Sequence, residues 1–163
     1  MTQQQGREEV SGPTTRFVLR ILHSYFAISR GMTLGVRAAC FDEEGRIFLV
    51  RHSYVPGWYM PGGGVERRET VMQALEKELR EEGNLVMTEP PQLFHVYYNS
   101  TVSKRDHVLL YRAKVIQTAP RPADREIVES GFFDPRDLPP DTTTATRRRL
   151  AELGGEASPA DIW

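Results

Sequence analysis

The stretch PGGGVERRETVMQALEKELREEGNL, Pro61 to Leu85, contains a contradiction. Its second half, Thr70 to Glu82, reads as a helix, and a helix C-terminus carries partial negative charge that favours Lys, Arg or His in the last turn. This helix ends instead in Glu78, Glu81 and Glu82. On a wheel of about 100° per residue, Val71, Leu75 and Leu79 form a core stripe with Met72 and Ala74 at its edges. The three glutamates fall within an arc of about 100° that overlaps this stripe, so they do not face away from the domain. Glu78 and Glu82 are a like-charge i,i+4 pair, which opposes helix formation, whereas Glu76 has a favourable partner in Arg80. Lys77 precedes Glu81 by four residues, the weaker orientation for a helix ion pair.

Two explanations fit such a cluster. The plainer one is a solvated acidic helix end, met if at all by distant arginines. The sharper one is a site for a hard divalent cation, which selects carboxylate oxygens. The preceding loop bears on the choice. Gly62, Gly63 and Gly64 let an anionic ligand approach backbone amides and carbonyls without meeting a side chain. Carboxylates for a metal beside a loop that accepts phosphate point to phosphoryl chemistry.

Outward from this centre the chain alternates strands and loops. TLGVRAACF and RIFLVRH are β-rich runs joined by DEEG, where Gly45 can take positive φ. The run SYVPGWYMPGGG is expected to lack regular structure because of its Pro and Gly content. LFHVYYNS and HVLLYRAKVIQ are two more strands, and Leu109, Tyr111, Ala113 and Val115 share one parity of the second. TAPRPAD reads as a loop, EIVESGFF as extended, DPRDLPP as a turn, and Thr142 to Leu153 as a final helix capped by Asp141. Strands with flanking helices imply a mixed β-sheet sandwiched between helices in one α/β domain.

Lys and Arg number 21 and Asp and Glu 22, so no basic excess advertises a nucleic-acid partner. The single cysteine, Cys40, lies in the apolar run VRAACF and reads as a buried, inert thiol, consistent with a cytoplasmic location. Residues 1–13 are polar and expected to form a disordered tail. Residues 14–30, with Arg16, Arg20, His23, Ser24 and Ala27 along one stripe, read as an amphipathic helix. That helix would pack on its own domain or on a homodimer partner, or lie on a membrane surface. Arg20 breaks its apolar run, so no transmembrane segment is expected.

The box beginning at Gly63 resembles the signature of the Nudix hydrolase family, G-x5-E-x7-R-E-U-x-E-E-x-G-U with U aliphatic. Glu69 follows after five residues, Lys77-Glu78-Leu79 after seven more, then Arg80, Glu81-Glu82, Gly83, Asn84 and Leu85. Seven of the nine specified positions match over 23 residues without a gap. Lys77 stands where the family has Arg, keeping the charge without the planar fork. Asn84 stands where the family has Gly, and Asn is the next best residue for a left-handed helix end, a role Gly83 could also fill. The resemblance implies an α/β/α sandwich over residues 31–163.

It also implies chemistry. Glu78, Glu81 and Glu82, with the Gly63 carbonyl, would hold Mg²⁺ or Mn²⁺. Glu81, Glu82 and a later carboxylate would serve hydrolysis of a diphosphate in a nucleoside diphosphate derivative such as a nucleotide sugar or ADP-ribose. Glu126 is the first candidate for that later carboxylate and Glu129 the second; the competing reading of each is an exposed strand-edge residue. Glu69 would pair with Lys77 to orient the loop–helix junction. Gly62, Arg51 and His52 are candidates for contact with phosphate. Trp58 and Tyr97 are candidates for stacking on a base, although such aromatics are more often core, and of Tyr97 and Tyr98 alternate parity sends one inward. A slow nucleotide-binding sensor, with Lys77 as its mark, and an RNA 5′-pyrophosphohydrolase are the alternatives. The latter requires a basic groove, and Arg147, Arg148 and Arg149 read more simply as a solvated helix face.

Overall fold

The computed structural model describes residues 21–22, 25–26 and 29–163. The expected tail lies outside the described residues, as does most of the expected helix 14–30. Of that helix Ile21, Leu22, Tyr25, Phe26 and Ser29 are described and are helical. The chain divides into two compact units, Met1–Met32 and Thr33–Trp163. The described strands all lie in the second unit.

Its elements are β1 (Thr33–Phe41), β2 (Ile47–His52), β3 (Trp58–Tyr59), α1 (Val71–Gly83), β4 (Leu85–Met87), β5 (Gln92–Tyr98), β6 (Asp106–Gln117), β7 (Ile127–Phe133) and α2 (Thr144–Leu153). The sheet runs β3-β2-β1-β6-β4, with β5 also on β6 and β7 also on β2. β1 and β6 are parallel from Thr33↔Asp106 to Phe41↔Lys114, and the remaining pairs are antiparallel, so the sheet is mixed.

Strand alternation sorts the core into two layers. Val36, Ala38 and Cys40 of β1 and Phe48 and Val50 of β2 face α1, meeting Ala74, Leu75 and Leu79. The alternate residues Ala39, Ile47 and Leu49 face the other way, with Leu110, Tyr97 and Trp58, against Leu150 and Leu153 of α2. The result is the expected α/β/α sandwich. Cys40 is fully buried, and burial pushes its thiol far up, so it is inert.

Local chemistry sets both ends of α1. Thr70 Oγ1 accepts from the Gln73 amide at 3.2 Å while the Gln73 side chain accepts from the Thr70 amide at 2.9 Å, a reciprocal cap. At the other end Asn84 takes φ 52, the left-handed geometry that halts the helix. Gly83 does not share that role. It lies in the helix, where a Cβ would come within 2.7 Å of both Phe48 and Leu85. Its small size lets α1 close on the sheet.

Three expectations are corrected. The run before the box is more regular than its Pro and Gly imply: Trp58–Tyr59 pairs with β2, and Pro61 to Val65 lies along β1 through Ala38 N to Pro61 O, Val36 N to Gly63 O and Val65 N to Leu34 O. β1 meets β2 only at Phe41↔Ile47, so its amides at Val36 and Ala38 need other acceptors, and the extended Gly-rich backbone supplies them. A short strand, β4, also follows α1 directly. α2 is capped by Thr143, not Asp141, whose carbonyl instead accepts from Trp58 N. Finally, Arg149 is fully buried while Arg147 and Arg148 are exposed. Arg149 Nη2 lies 2.8 Å from Glu152 Oε1, and its guanidinium sits 4.1 Å over the Tyr97 ring.

Candidate active site

The loop and the last turns of α1 are built against each other. Gly62 takes φ 146, and a Cβ there would meet Val36 O at 2.1 Å, so only glycine fits. Its amide donates to Glu82 Oε2 at 2.8 Å. A Cβ on Gly63 would come within 2.6 Å of the Glu78 carboxyl, so that carboxylate rests directly on the loop backbone.

Lys77 answers part of the charge problem. Its Nζ lies 3.3 Å from Glu69 Oε1 and 3.5 Å from Glu78 Oε1, joining the loop–helix junction to the cluster. Glu69 Oε2 also accepts from the Glu66 amide at 2.9 Å, and that bond, then Lys77, holds its carboxyl below the usual range. Arg121 answers another part: Nε donates to the Glu81 carbonyl at 2.8 Å, supplying positive charge where the helix end exposes its acceptors.

What remains is unbalanced negative charge. Glu82 is buried, and desolvation pushes its carboxyl up to about 7 against the opposing Gly62 amide and Arg37. Desolvation raises Glu78 as well, and Glu81 and Glu126 add to it while Lys77 opposes. His52, buried at the end of β2, has its pKa lowered by burial and by Arg37, so it is neutral at pH 7. Its Nε2 is 3.7 Å from Glu82 Oε1, beyond hydrogen-bond range, and its Nδ1 is buried with no hydrogen-bond partner.

Glu126 completes the group. Ligating atoms of His52, Glu82 and Glu126 lie within 4.8 Å of one another. The register of β2 on β7, His52↔Ile127 after a bulge at Arg51/His52, brings the third residue in. Ser53 N donates to Glu126 O at 2.9 Å, and Glu126 N donates to Asp124 Oδ1 at 2.8 Å. Glu78, Glu81, Glu82, Arg121, Asp124 and Glu126 line one cleft of about 290 Å³. Glu81, Asp124 and Glu126 are its exposed members, and Glu81 lies 3.5 Å from Arg80. Repelling carboxylates, with Glu78 and Glu82 raised by burial, and an unpartnered imidazole nitrogen form a donor set that fits a divalent cation.

The other expected contacts are distributed differently. Trp58 and Tyr97 lie in the α2-side core, and the Tyr97 hydroxyl donates to Glu152 Oε2 at 2.7 Å. Neither presents a ring face for stacking on a base, because in both cases the inward parity of the strand won. Arg51 pairs with Glu129 at 3.5 Å beside a separate groove. The large cavity near the glycines, about 590 Å³, is lined instead by Arg37, Tyr59, Gly63, Gly64, Asp106 and Trp163 among others. Arg37, Arg121 and Asp124 were missed from sequence. A charged residue inside the apolar run GVRAACF was the available signal for Arg37; nothing local marked the other two.

A mixed sheet between two helices, with a glycine loop locked to an acidic helix end, defines the structural class. The profile of the NUDIX domain matches residues 31–153, and the chain belongs to the Nudix family. It is 28% identical over 124 residues to the 8-oxo-dGDP phosphatase NUDT18 of Mus musculus, an alignment covering 74% of this chain and 38% of that protein. It is 39% identical over 57 residues to the RNA pyrophosphohydrolase of Halorhodospira halophila, covering 35% of this chain and 32% of that one. The chain thus matches well under half the length of these curated relatives. Among solved structures, a MutT Nudix hydrolase from Burkholderia pseudomallei superposes with TM-score 0.63 at 28% identity, covering 74% of this chain and 97% of that one. A UDP-X diphosphatase superposes with TM-score 0.61 at 22% identity, covering 91% and 75%, a likeness of fold. No described helix is long and apolar enough to cross a membrane.

Proposed function

We propose that this chain is a Mg²⁺- or Mn²⁺-dependent hydrolase that cleaves the diphosphate linkage of a nucleoside diphosphate derivative. The observation that carries the reading is the convergence of His52 from β2, Glu82 from α1 and Glu126 from the loop before β7 to within 4.8 Å. Glu78, Glu81 and Glu82, with the Gly63 carbonyl, would hold the cation. When bound, it neutralises the diphosphate and activates the attacked phosphorus.

The residues of the chain do the rest. Gly62 and Gly63 keep the loop backbone bare, so a phosphate reaches it without a clash. Lys77 and Glu69 orient Glu78. Glu126, exposed in the cleft, accepts the proton of the attacking water. The moiety beyond the diphosphate occupies the 590 Å³ cavity, whose volume is in the range of small-molecule sites. A cytoplasmic location belongs to the same proposal, on the ground of one buried, reduced cysteine.

The test is a liquid-chromatography turnover screen with Mg²⁺ against nucleotide sugars, ADP-ribose, dinucleoside polyphosphates and nucleoside triphosphates. The names of the relatives add 8-oxo-dGDP and a 5′-triphosphorylated RNA to that panel. Hydrolysis that is lost with chelator supports the proposal. Tight nucleotide binding without hydrolysis of any member replaces it with a sensor module.

A further inference from the structure

Asn84 is the residue at which this box departs from glycine, and its left-handed backbone explains only half of what it does. Its Nδ2 reaches across to the segment after β6, donating to Pro120 O at 3.2 Å and Ala119 O at 3.4 Å. Its carbonyl accepts from both the amide and the hydroxyl of Thr118 at 3.0 Å. Next to it Gln117 Nε2 donates to Gly83 O at 2.9 Å, and Arg121 Nε donates to Glu81 O at 2.8 Å. Every one of these contacts joins the end of α1 to residues 117–121.

From Arg121 the connection continues toward the cleft. Arg121 also donates to Pro122 O, and its Nη2 lies 2.7 Å from Asp124 Oδ2. Asp124 Oδ1 accepts from the amides of Ile127 and Glu126 at 2.8 Å each. Those two amides first, and Arg121 next, bring the Asp124 carboxyl down to about 2, so it is an ionised anchor at neutral pH. From the β2 side, Ser53 Oγ donates to Arg125 O at 2.6 Å and Ser53 N donates to Glu126 O at 2.9 Å.

We propose that Asn84 and Arg121 are positioning residues, a clamp between the end of α1 and the 119–126 loop that sets Glu126 at a fixed distance from Glu78 and Glu82. This rests on the proposed function for its catalytic consequence, but not for its structural one. Arg121 has its donors engaged by protein acceptors, so it acts through the loop and not on substrate. The arrangement also gives the substitution of Asn for Gly a purpose: glycine would end the helix equally well but carries no side-chain amide to hold the loop.

The test compares Asn84→Gly, Asn84→Asp and Arg121→Lys with the parent chain. Amide hydrogen exchange is read on the metal-free protein, and kcat and KM on the metal-loaded one. Asn84→Gly decides, because glycine takes positive φ freely and a residue serving only as a helix stop would be unchanged or improved by it. The clamp predicts faster exchange at the amides between Ala119 and Ile127 with α1 unaffected. It also predicts a kcat lower by on the order of tenfold at nearly constant KM. Asn84→Asp, which sets a carboxylate against two carbonyls, is expected to be at least as impaired, and Arg121→Lys to fall between it and the parent. Parental exchange in the loop of Asn84→Gly overturns the proposal. So does acceleration that spreads equally through α1 and β6, or a change confined to KM. If the parent hydrolyses nothing in the panel, the proposed function fails while the exchange measurement still decides the clamp.

Discussion

The amide of Gly62 donates to Glu82 Oε2 at 2.8 Å, tying the glycine loop to the last turn of a helix twenty residues further on. One bond therefore sets where the loop backbone lies relative to the acidic cluster. Glutamine at position 82 keeps an oxygen for that amide and removes the charge. Glu82→Gln is expected to fold and to lose activity by at least about 100-fold, because a ligand or base is gone. Steady-state kinetics against Mg²⁺ concentration check it; a near-normal rate with the same metal dependence would remove Glu82 from the site.

The same residue gives the metal-free protein a pH dependence. The folded carboxyl titrates at about 7, above its ordinary 4.5, so folding favours the protonated form. That contribution is complete below about pH 4.5 and is lost as pH rises through about 7, a span worth at most on the order of 3 kcal/mol. In chelator, Tm should fall between about pH 5 and about pH 8, and Glu82→Gln should flatten that fall. Added Mg²⁺ should restore Tm at the higher pH, since it binds the ionised form.

Lys77 touches both Glu69 and Glu78, at 3.3 and 3.5 Å. Lys77→Ala should raise the Mg²⁺ concentration for half-maximal rate by on the order of tenfold, as loss of an orienting partner does. Lys77→Arg, with a planar fork for the same two carboxylates, should match or exceed the parent. Metal titrations of both variants separate a tuned enzyme from one impaired by lysine.

Adjacent glycines should fail differently. An alanine methyl at 63 meets the flexible Glu78 carboxyl, so Gly63→Ala is expected to displace that ligand and weaken metal dependence while the fold persists. At 62 the methyl meets the Val36 carbonyl at 2.1 Å on a backbone with φ 146. Gly62→Ala should cost about 3 kcal/mol or more in urea unfolding, because backbone cannot step aside.

Glu152→Ala would leave Arg149 charged and fully buried without its carboxylate partner. A loss of about 3–5 kcal/mol is expected from urea or thermal unfolding. A loss below about 1 kcal/mol would mean that water reaches the guanidinium.

Much of α1 was legible because helix chemistry is local. Its apolar stripe, its overlap with the glutamates and the left-handed Asn84 all follow from neighbours within a few residues. The Gly45 turn was legible for the same reason: φ 76 at a hairpin corner favours glycine. Thr143, rather than Asp141, capping α2 was not, since Asp141 O is engaged by Trp58, 83 positions earlier. Tyr97 and Tyr98 show the limit within a strand: alternation requires one of them to turn inward, but only packing against α2 makes it Tyr97.

By itself, then, the sequence determined the acidic helix, the glycine loop before it and the spacing between them, because each depends on backbone preferences over a handful of residues. The tertiary structure alone decided that Glu126 and His52 join Glu82, that Arg121 and Asn84 hold the intervening loop, and that Trp58, Tyr97 and Arg149 are interior. Those outcomes depend on strand register and on which face of the sheet each helix covers, and pairwise contacts across tens of residues leave no periodic trace in the chain.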